Sequence, residues 1–394
     1  ISYDIMSLSG DVYGWWTLPI NYSCQPSYIW YIAVTALRTA YENLRDNITQ
    51  YSDMIVVIPI DCSWGGAALG PITIRPENIS IRAIVVRVPN THFISHELGH
   101  NFGGYIPLSH ATAVECGETT TGTDYFFGSC YILEYGDVYD VMGINIERHP
   151  YHFQADTKDT LGWMQNGVQE VSTDGSYILE PLENINQGVK TLKILKKSIP
   201  CYDTWLNICN LWYFIEYRQP INFDNTSEIQ NFGVTNGVLV HAIYHNFTVY
   251  NDLLRSPILL DMSPDSQTEE RDFYDSALVI GNTHRDELAK ISITPIERTQ
   301  NQIVVEVSFG LMRDYSFEVD NGVDFYPNWN GDDNIAINGQ PDGYRTTSSG
   351  ILDSNIKYQG YKSIKLTTTN NRAYSLQDIP VEYTKKYRVS GYVK

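Results

Sequence analysis

The chain has 394 residues, of which 43% are hydrophobic and only 19% charged, enough length for two or three domains and enough apolar material for ordinary cores. Its formal net charge is −19, which argues against nucleic acid or an anionic membrane surface as partner, because both need a basic face. Membrane insertion is not expected either: the best apolar run, Tyr28 to Leu37, is too short to span and stops at Arg38.

The chain opens with Ile-Ser-Tyr-Asp rather than with Met and a basic run, which reads as a processed or trimmed chain. From Ser27 to Leu44, apolar residues at Trp30, Ala33, Val34, Leu37, Ala40, Tyr41 and Leu44 form a helical stripe. Met54 to Ile60 reads as a buried strand, and a Gly-rich loop through Gly65, Gly66 and Gly70 is expected after it. A second strand over 81–88 leads into a helix carrying His96-Glu97-Leu98-Gly99-His100. Cysteine-bearing loops to about residue 140 and a helix around Asp156 to Met164 follow. This order suits an α/β or α+β unit. Between about 170 and 310, short β-rich runs such as 191–195, 211–217, 237–241 and 303–307 alternate with Asn/Asp/Gly/Pro turns, which reads as an all-β module. The expected domains are therefore 1–168, 169–312 and a β segment over 313–394, the last stopping mid-strand by pattern and short for a complete sandwich.

Six cysteines stand at 24, 62, 116, 130, 201 and 209, with no C-x-x-C pair, so a thiolate zinc site is not expected. The economical pairing is Cys24–Cys62, Cys116–Cys130 and Cys201–Cys209, although sequence alone does not choose a connectivity. N-x-S/T sequons begin at Asn21, Asn47, Asn78, Asn225 and Asn246. Cysteines and sequons together point to an extracellular protein, secreted or at the cell surface.

The chemistry concentrates in the H-E-x-x-H run. On a helix it sets His96 and His100 one turn apart on one face, where their imidazoles can share a metal, with Glu97 beside them to deprotonate a bound water. A surface helix with two solvated histidines is the bland alternative. A catalytic zinc takes three protein ligands and keeps one position open. His110 is the preferred third ligand, because a short loop through Gly103, Gly104 and Pro107 costs least closure entropy. Glu115, Glu118 and His152 compete for that role.

The run His96–Gly103, the turn Tyr135-Gly136-Asp137-Val138-Tyr139-Asp140-Val141-Met142-Gly143 and the Lys158…Gly162-Trp163 segment together resemble the metzincin zinc peptidases. The likeness is greatest to the gametolysin-like branch. Ile215–Arg218, Gly237–His241 and Leu259–Met262 add some likeness to the immune-inhibitor-A-like peptidases, and the resemblance covers about residues 1–310. It implies an α+β metzincin-like catalytic domain followed by all-β, sandwich-like domains. It also implies a Zn²⁺ endopeptidase that cleaves protein or peptide substrates with a zinc-activated water and Glu97 as general base. Met142 would form an apolar floor beneath the metal, and Asp140 a turn residue bonding to backbone amides. The family spacing puts the third histidine where this chain has Ile106, so His110 requires four extra residues in the loop, or else another residue ligates.

The tail weakly resembles a carbohydrate-binding jelly roll through Ser316-Phe317-Glu318, Trp329 and 387–392, with Trp329 or Tyr344 available to stack on a sugar. A structural Ca²⁺ at Glu318 or Asp332-Asp333 is a secondary expectation. Two further readings stand beside the peptidase. One is a non-catalytic structural or adhesive surface protein that retains a peptidase fold, and the other a glycan-binding protein.

Overall fold

In the computed structural model of the chain, the described residues are 2–4, 6–19, 25–59, 64–102, 110–115, 130–144, 148–186, 188–199, 209–245, 257–264, 272–286, 289–299 and 301–310, with short strand segments at 345–346, 350–353, 363–366 and 375–376. The chain divides into two compact units, 1–308 and 309–394. It is mixed α/β, with many strands and few helices.

Helix α1 (Ile29–Leu44) follows a short 3-10 turn that begins at Pro26. Its buried residues Ile29, Ile32, Ala33, Val34, Leu37 and Ala40 are linked by three- and four-residue steps and so form one broad stripe. Trp30, expected within that stripe, is instead 48% exposed and meets Tyr31 edge-to-face. Its spacing to Val34 and Leu37, both buried, places it on the same face of the helix but in the first turn, where it stands out from the core.

Three strands complete this part: β1 (Asp53–Val57), β2 (Gly66–Ile74) and β3 (Ile79–Val86), in the order β1-β3-β2. β3 runs parallel to β1 and antiparallel to β2. The alternation of β3 explains its place: Ala83 and Val85 join the cluster under α1, while Ile84 and Val86 pack with Leu98 of α2 (Thr91–Phe102) on the other face. The Gly-rich loop expected through Gly66 and Gly70 is strand β2 instead. Its glycines and Pro71 read as loop punctuation, yet β2 is an edge strand, where proline's missing N–H need not be paired, and a bulge between Ala68 and Gly70 absorbs the irregularity.

The larger sheet takes strands from most of the remaining unit: β4 (Thr112–Glu115), β5 (Tyr131–Leu133), β6 (Val168–Val171), β8 (Thr191–Ile199), β9 (Cys209–Glu216), β10 (Gly237–His245) and β11 (Ile258–Leu260), in the order β5-β4-β11-β10-β9-β8-β6. β12 (Leu278–Val279) joins it on β10. A four-stranded sheet orders β13 (His284–Asp286), β14 (Ile291–Arg298), β15 (Ile303–Phe309) and β7 (Gly175–Leu179). The boundary drawn at 168/169 thus runs through the unit, because β4 pairs in parallel with β11 across it. Helix α3 (Ala155–Thr160) ends earlier than expected: Gly162 adopts a left-handed φ of 73°, and the Trp163 N–H turns back to Lys158 O at 2.8 Å.

At the centre of this unit Arg218 is wholly buried. It donates to Glu216 at 2.7 Å, to Asp224 at 2.5 Å and to the carbonyls of Tyr139 and His152 at 3.3 and 3.4 Å. The second carboxylate oxygens of Glu216 and Asp224 accept the N–H of Ala155 and of His152. One guanidinium therefore ties the turn at 139, the segment at 152–155 and strand β9 together.

In 309–394 the described strands are β16 (Arg345–Thr346), β17 (Gly350–Asp353), β18 (Ser363–Leu366) and β19 (Ser375–Leu376), paired antiparallel as β16–β19 and β17–β18. Glu318, Trp329, Asp332, Asp333 and Tyr344 lie outside the described residues. Cys130 is disulfide-bonded, whereas Cys24, Cys62, Cys116 and Cys201 lie outside the described residues. Among the described residues, no helix is long and apolar enough to cross a membrane.

Candidate metal centre

Helix α2 places His96 and His100 one turn apart, with ring centroids 4.9 Å from each other. His110, which precedes β4, brings its ring to 5.8 Å from His96 and 5.0 Å from His100. One ring nitrogen from each of the three lies within 4.8 Å of the others, a group able to hold a metal ion. Of the competitors, His152 is turned into the Arg218 region with its Nδ1 3.0 Å from the ammonium of buried Lys158. Glu115 ends β4 outside the group, and Glu118 lies outside the described residues.

The α2 helix is not a solvated surface helix. His96 and Glu97 are each only 7% exposed. Burial, helped by neighbouring His100, pushes the His96 pKa down to about 3, so the imidazole is neutral and its lone pair is available. The Nδ1 of His96 lies 2.9 Å from Val141 O, and this acceptor fixes the tautomer with the proton on Nδ1. His110 is tied twice: Nδ1 is 2.7 Å from a Glu134 carboxylate oxygen, and Nε2 is 2.8 Å from the Tyr135 hydroxyl. The Tyr135 ring also stacks on the His110 ring at 3.9 Å. Burial, and then the charges of Glu134 and Glu97, push its phenol up to about 12.

Glu97 turns toward the edge strand. Its carboxylate accepts the Ala68 N–H, and its side chain fills the space over Gly66, where a β-carbon would lie 2.7 Å from Oε1. Burial pushes this carboxyl up to about 7, against the lowering effect of the Ala68 N–H. Asn101, the residue after His100, accepts the Gly70 N–H at 3.1 Å and donates to Ala83 O at 3.3 Å, so the helix is pinned to both β2 and β3.

The turn 137–143 closes the floor. Asp140 accepts the N–H of Met142 and of Gln154, each at 2.6 Å, as expected of a turn carboxylate. Met142 is 1% exposed and joins Ala111, Val141, Phe153 and Trp163 in a core cluster below α2. Sequence reasoning did not assign Glu134, Tyr135, Asp137, Arg218 or His241. The last two carried a usable signal: a charged or titratable residue inside an otherwise apolar β run is rarely there without a buried partner.

No protein-family model, curated protein or solved structure matches the chain.

Proposed function

We propose that this protein is a zinc-dependent endopeptidase, metzincin-like and closest in its motifs to the gametolysin-like branch, acting outside the cell. His96, His100 and His110 would hold the metal, and Glu97 would be the general base. The observation that carries this reading is the convergence of the three imidazoles, two of them from the helix that also carries Glu97, with a described oxygen acceptor at Nδ1 of both His96 and His110. The donor set suits zinc, since three imidazoles leave one position of a tetrahedral site for water or substrate.

Bound there, Zn²⁺ would supply Lewis-acid polarisation of a carbonyl and a lowered pKa for water. The remaining work falls to the chain. Glu97 accepts the proton of the attacking water and returns it to the departing amine. Its contacts with β2 hold the carboxylate in place, so little reorganisation accompanies the transfer. Val141 and Glu134 hold two of the ligand rings at their Nδ1 sides. An extracellular setting is supported by the disulfide at Cys130 and by the exposure of the sequon residues Asn47, Asn78 and Asn225.

A specific observation favours a second reading. Both ring nitrogens of His110 are satisfied by protein groups, Glu134 and Tyr135, so this histidine needs no metal to complete its hydrogen bonding. That suits a non-catalytic structural or adhesive surface protein.

Equilibration with Zn²⁺ followed by metal analysis and peptide-cleavage assays separates the two. The peptidase reading expects about one zinc per chain, cleavage abolished by chelator, and a Glu97→Gln variant that keeps zinc but loses cleavage. A chain that takes up no zinc and cleaves nothing overturns it in favour of the second reading.

A further inference from the structure

His241 sits in the middle of β10, wholly buried, with Phe214 and Leu259 as its strand neighbours on either side. An apolar residue of similar volume would fill such a position as well or better, since burying a polar pair seldom improves stability. What His241 does instead is specific: its Nε2 lies 2.9 Å from Asp137 Oδ2, and Asp137 is itself 1% exposed.

Asp137 begins the turn that touches the ligand histidines by two routes. Its other carboxylate oxygen accepts the Tyr139 N–H at 3.0 Å, setting the path of the turn toward Val141, whose carbonyl meets His96 Nδ1 at 2.9 Å. Its backbone N–H donates to Ala111 O at 3.3 Å, and Ala111 N–H donates to Met142 O at 3.0 Å. This clasp fixes the residue adjacent to His110. The His241–Asp137 contact therefore stands at the root of both His96 and His110, although His241 is far from them in sequence.

We propose that His241 is a positioning residue for the metal centre, setting the ligand geometry of His96 and His110 through Asp137 and the turn 137–143. The inference rests on the metal-binding reading above. Asp140 and Arg218 hold the same turn independently, at Met142 and Gln154 and at Tyr139 O, so the turn retains anchors when His241 is changed.

The test uses the full chain with Zn²⁺ and Co²⁺ as probes. Zinc affinity is measured by competition with a chromophoric chelator, and ligand geometry by the visible absorption of the Co²⁺-loaded protein. His241→Leu, which keeps volume but removes the donor, should weaken zinc binding about 10- to 100-fold and alter the Co²⁺ spectrum. His241→Gln, whose amide nitrogen reaches the place of Nε2, should restore most of both. Unchanged affinity and spectrum in His241→Leu would overturn the proposal, and so would a loss in His241→Gln as large as in His241→Leu, which would mean packing alone. If His241→Leu does not fold by circular dichroism, His241→Asn against His241→Gln decides. Asn is too short to reach Asp137 and should bind zinc more weakly, while equal affinities overturn the proposal. An unaltered chain that binds neither ion removes the metal-binding reading itself, and this inference with it.

Discussion

Met142 Sδ occupies the space beside Gly99 that a side chain would need: a β-carbon built on Gly99 would lie 2.4 Å from that sulfur and 3.1 Å from the Phe153 ring. Met142 and Phe153 are both buried, so neither has solvent to move into. Gly99→Ala should gain about 1 kcal/mol in helix propensity and lose about 1–3 kcal/mol to overpacking. The expected outcome is a net loss of stability in chemical denaturation. Combining it with Met142→Ala should cost less than the sum of the two single changes, because the truncated methionine makes room for the methyl. Strictly additive losses would contradict the packing described.

Gly66 supplies a way to disturb the proposed base without touching the ligands. A β-carbon there would lie 2.7 Å from Glu97 Oε1 and 2.8 Å from Glu97 Cγ, so Gly66→Ala must displace the carboxylate. Zinc content should be unchanged while peptide cleavage falls on the order of 100-fold, the usual penalty for a catalytic group moved by about an ångström. Full turnover in this variant would remove Glu97, as placed here, from the reaction.

These two glycines show what could be read in the sequence and what could not. The H-E-x-x-H spacing gives the helix, two converging histidines and the carboxylate, because helical periodicity is local. The β3 strand and α1 are legible for the same reason. Strand β2 is not, since Gly65, Gly66, Gly70 and Pro71 carry loop propensities that only pairing with β3 overrides. His110 could be weighed by chain length alone. The roles of Glu134, Tyr135 and His241 depend on topology, which brings β10 and the turn at 137 together across about a hundred residues of intervening chain.

Glu134 is expected to tune metal affinity rather than stability. Its carboxylate holds His110 Nδ1 at 2.7 Å, but its side chain is 56% exposed, so removing it leaves no buried group stranded. Glu134→Ala should lower zinc affinity by about tenfold, the low end for a carboxylate behind a ligand histidine, with the melting temperature of the metal-free protein unchanged. Competition with a chelator and a thermal melt measure the two effects separately.

An acid-sensitive clamp links the larger sheet to the four-stranded one. Lys196, the extra residue of the bulge between Leu195 and Lys197, reaches Asp286 at 2.7 Å, and the Tyr213 hydroxyl donates to the same carboxylate at 2.7 Å. Burial alone would raise the Asp286 pKa, but the Lys196 charge overrides it and holds the carboxyl below its usual range. A folded pKa below the unfolded one stabilises fully above the unfolded value, about 4, and this is lost as pH falls through the folded value. Asp286→Asn should cost about 3–5 kcal/mol at pH 7 by stranding a buried ammonium. The gap between wild type and variant should narrow as pH falls below about 4 and close only below the folded pKa. A gap independent of pH would show that the loss does not come from the ion pair.

The parallel pairing of β4 with β11 has a consequence for how the chain can be divided. β4 begins two residues after His110 and hydrogen-bonds to a strand near residue 260. A gene fragment that stops at 168 would encode the helix with both motif histidines, yet it would leave β4 with an open, unsatisfied flank of backbone amides and carbonyls, and the turn at 137 without His241 and Arg218. Such a flank is a template for self-association. A piece of this chain that keeps β4 paired on both flanks must therefore reach past β11, and the compact unit to which both strands belong runs to residue 308.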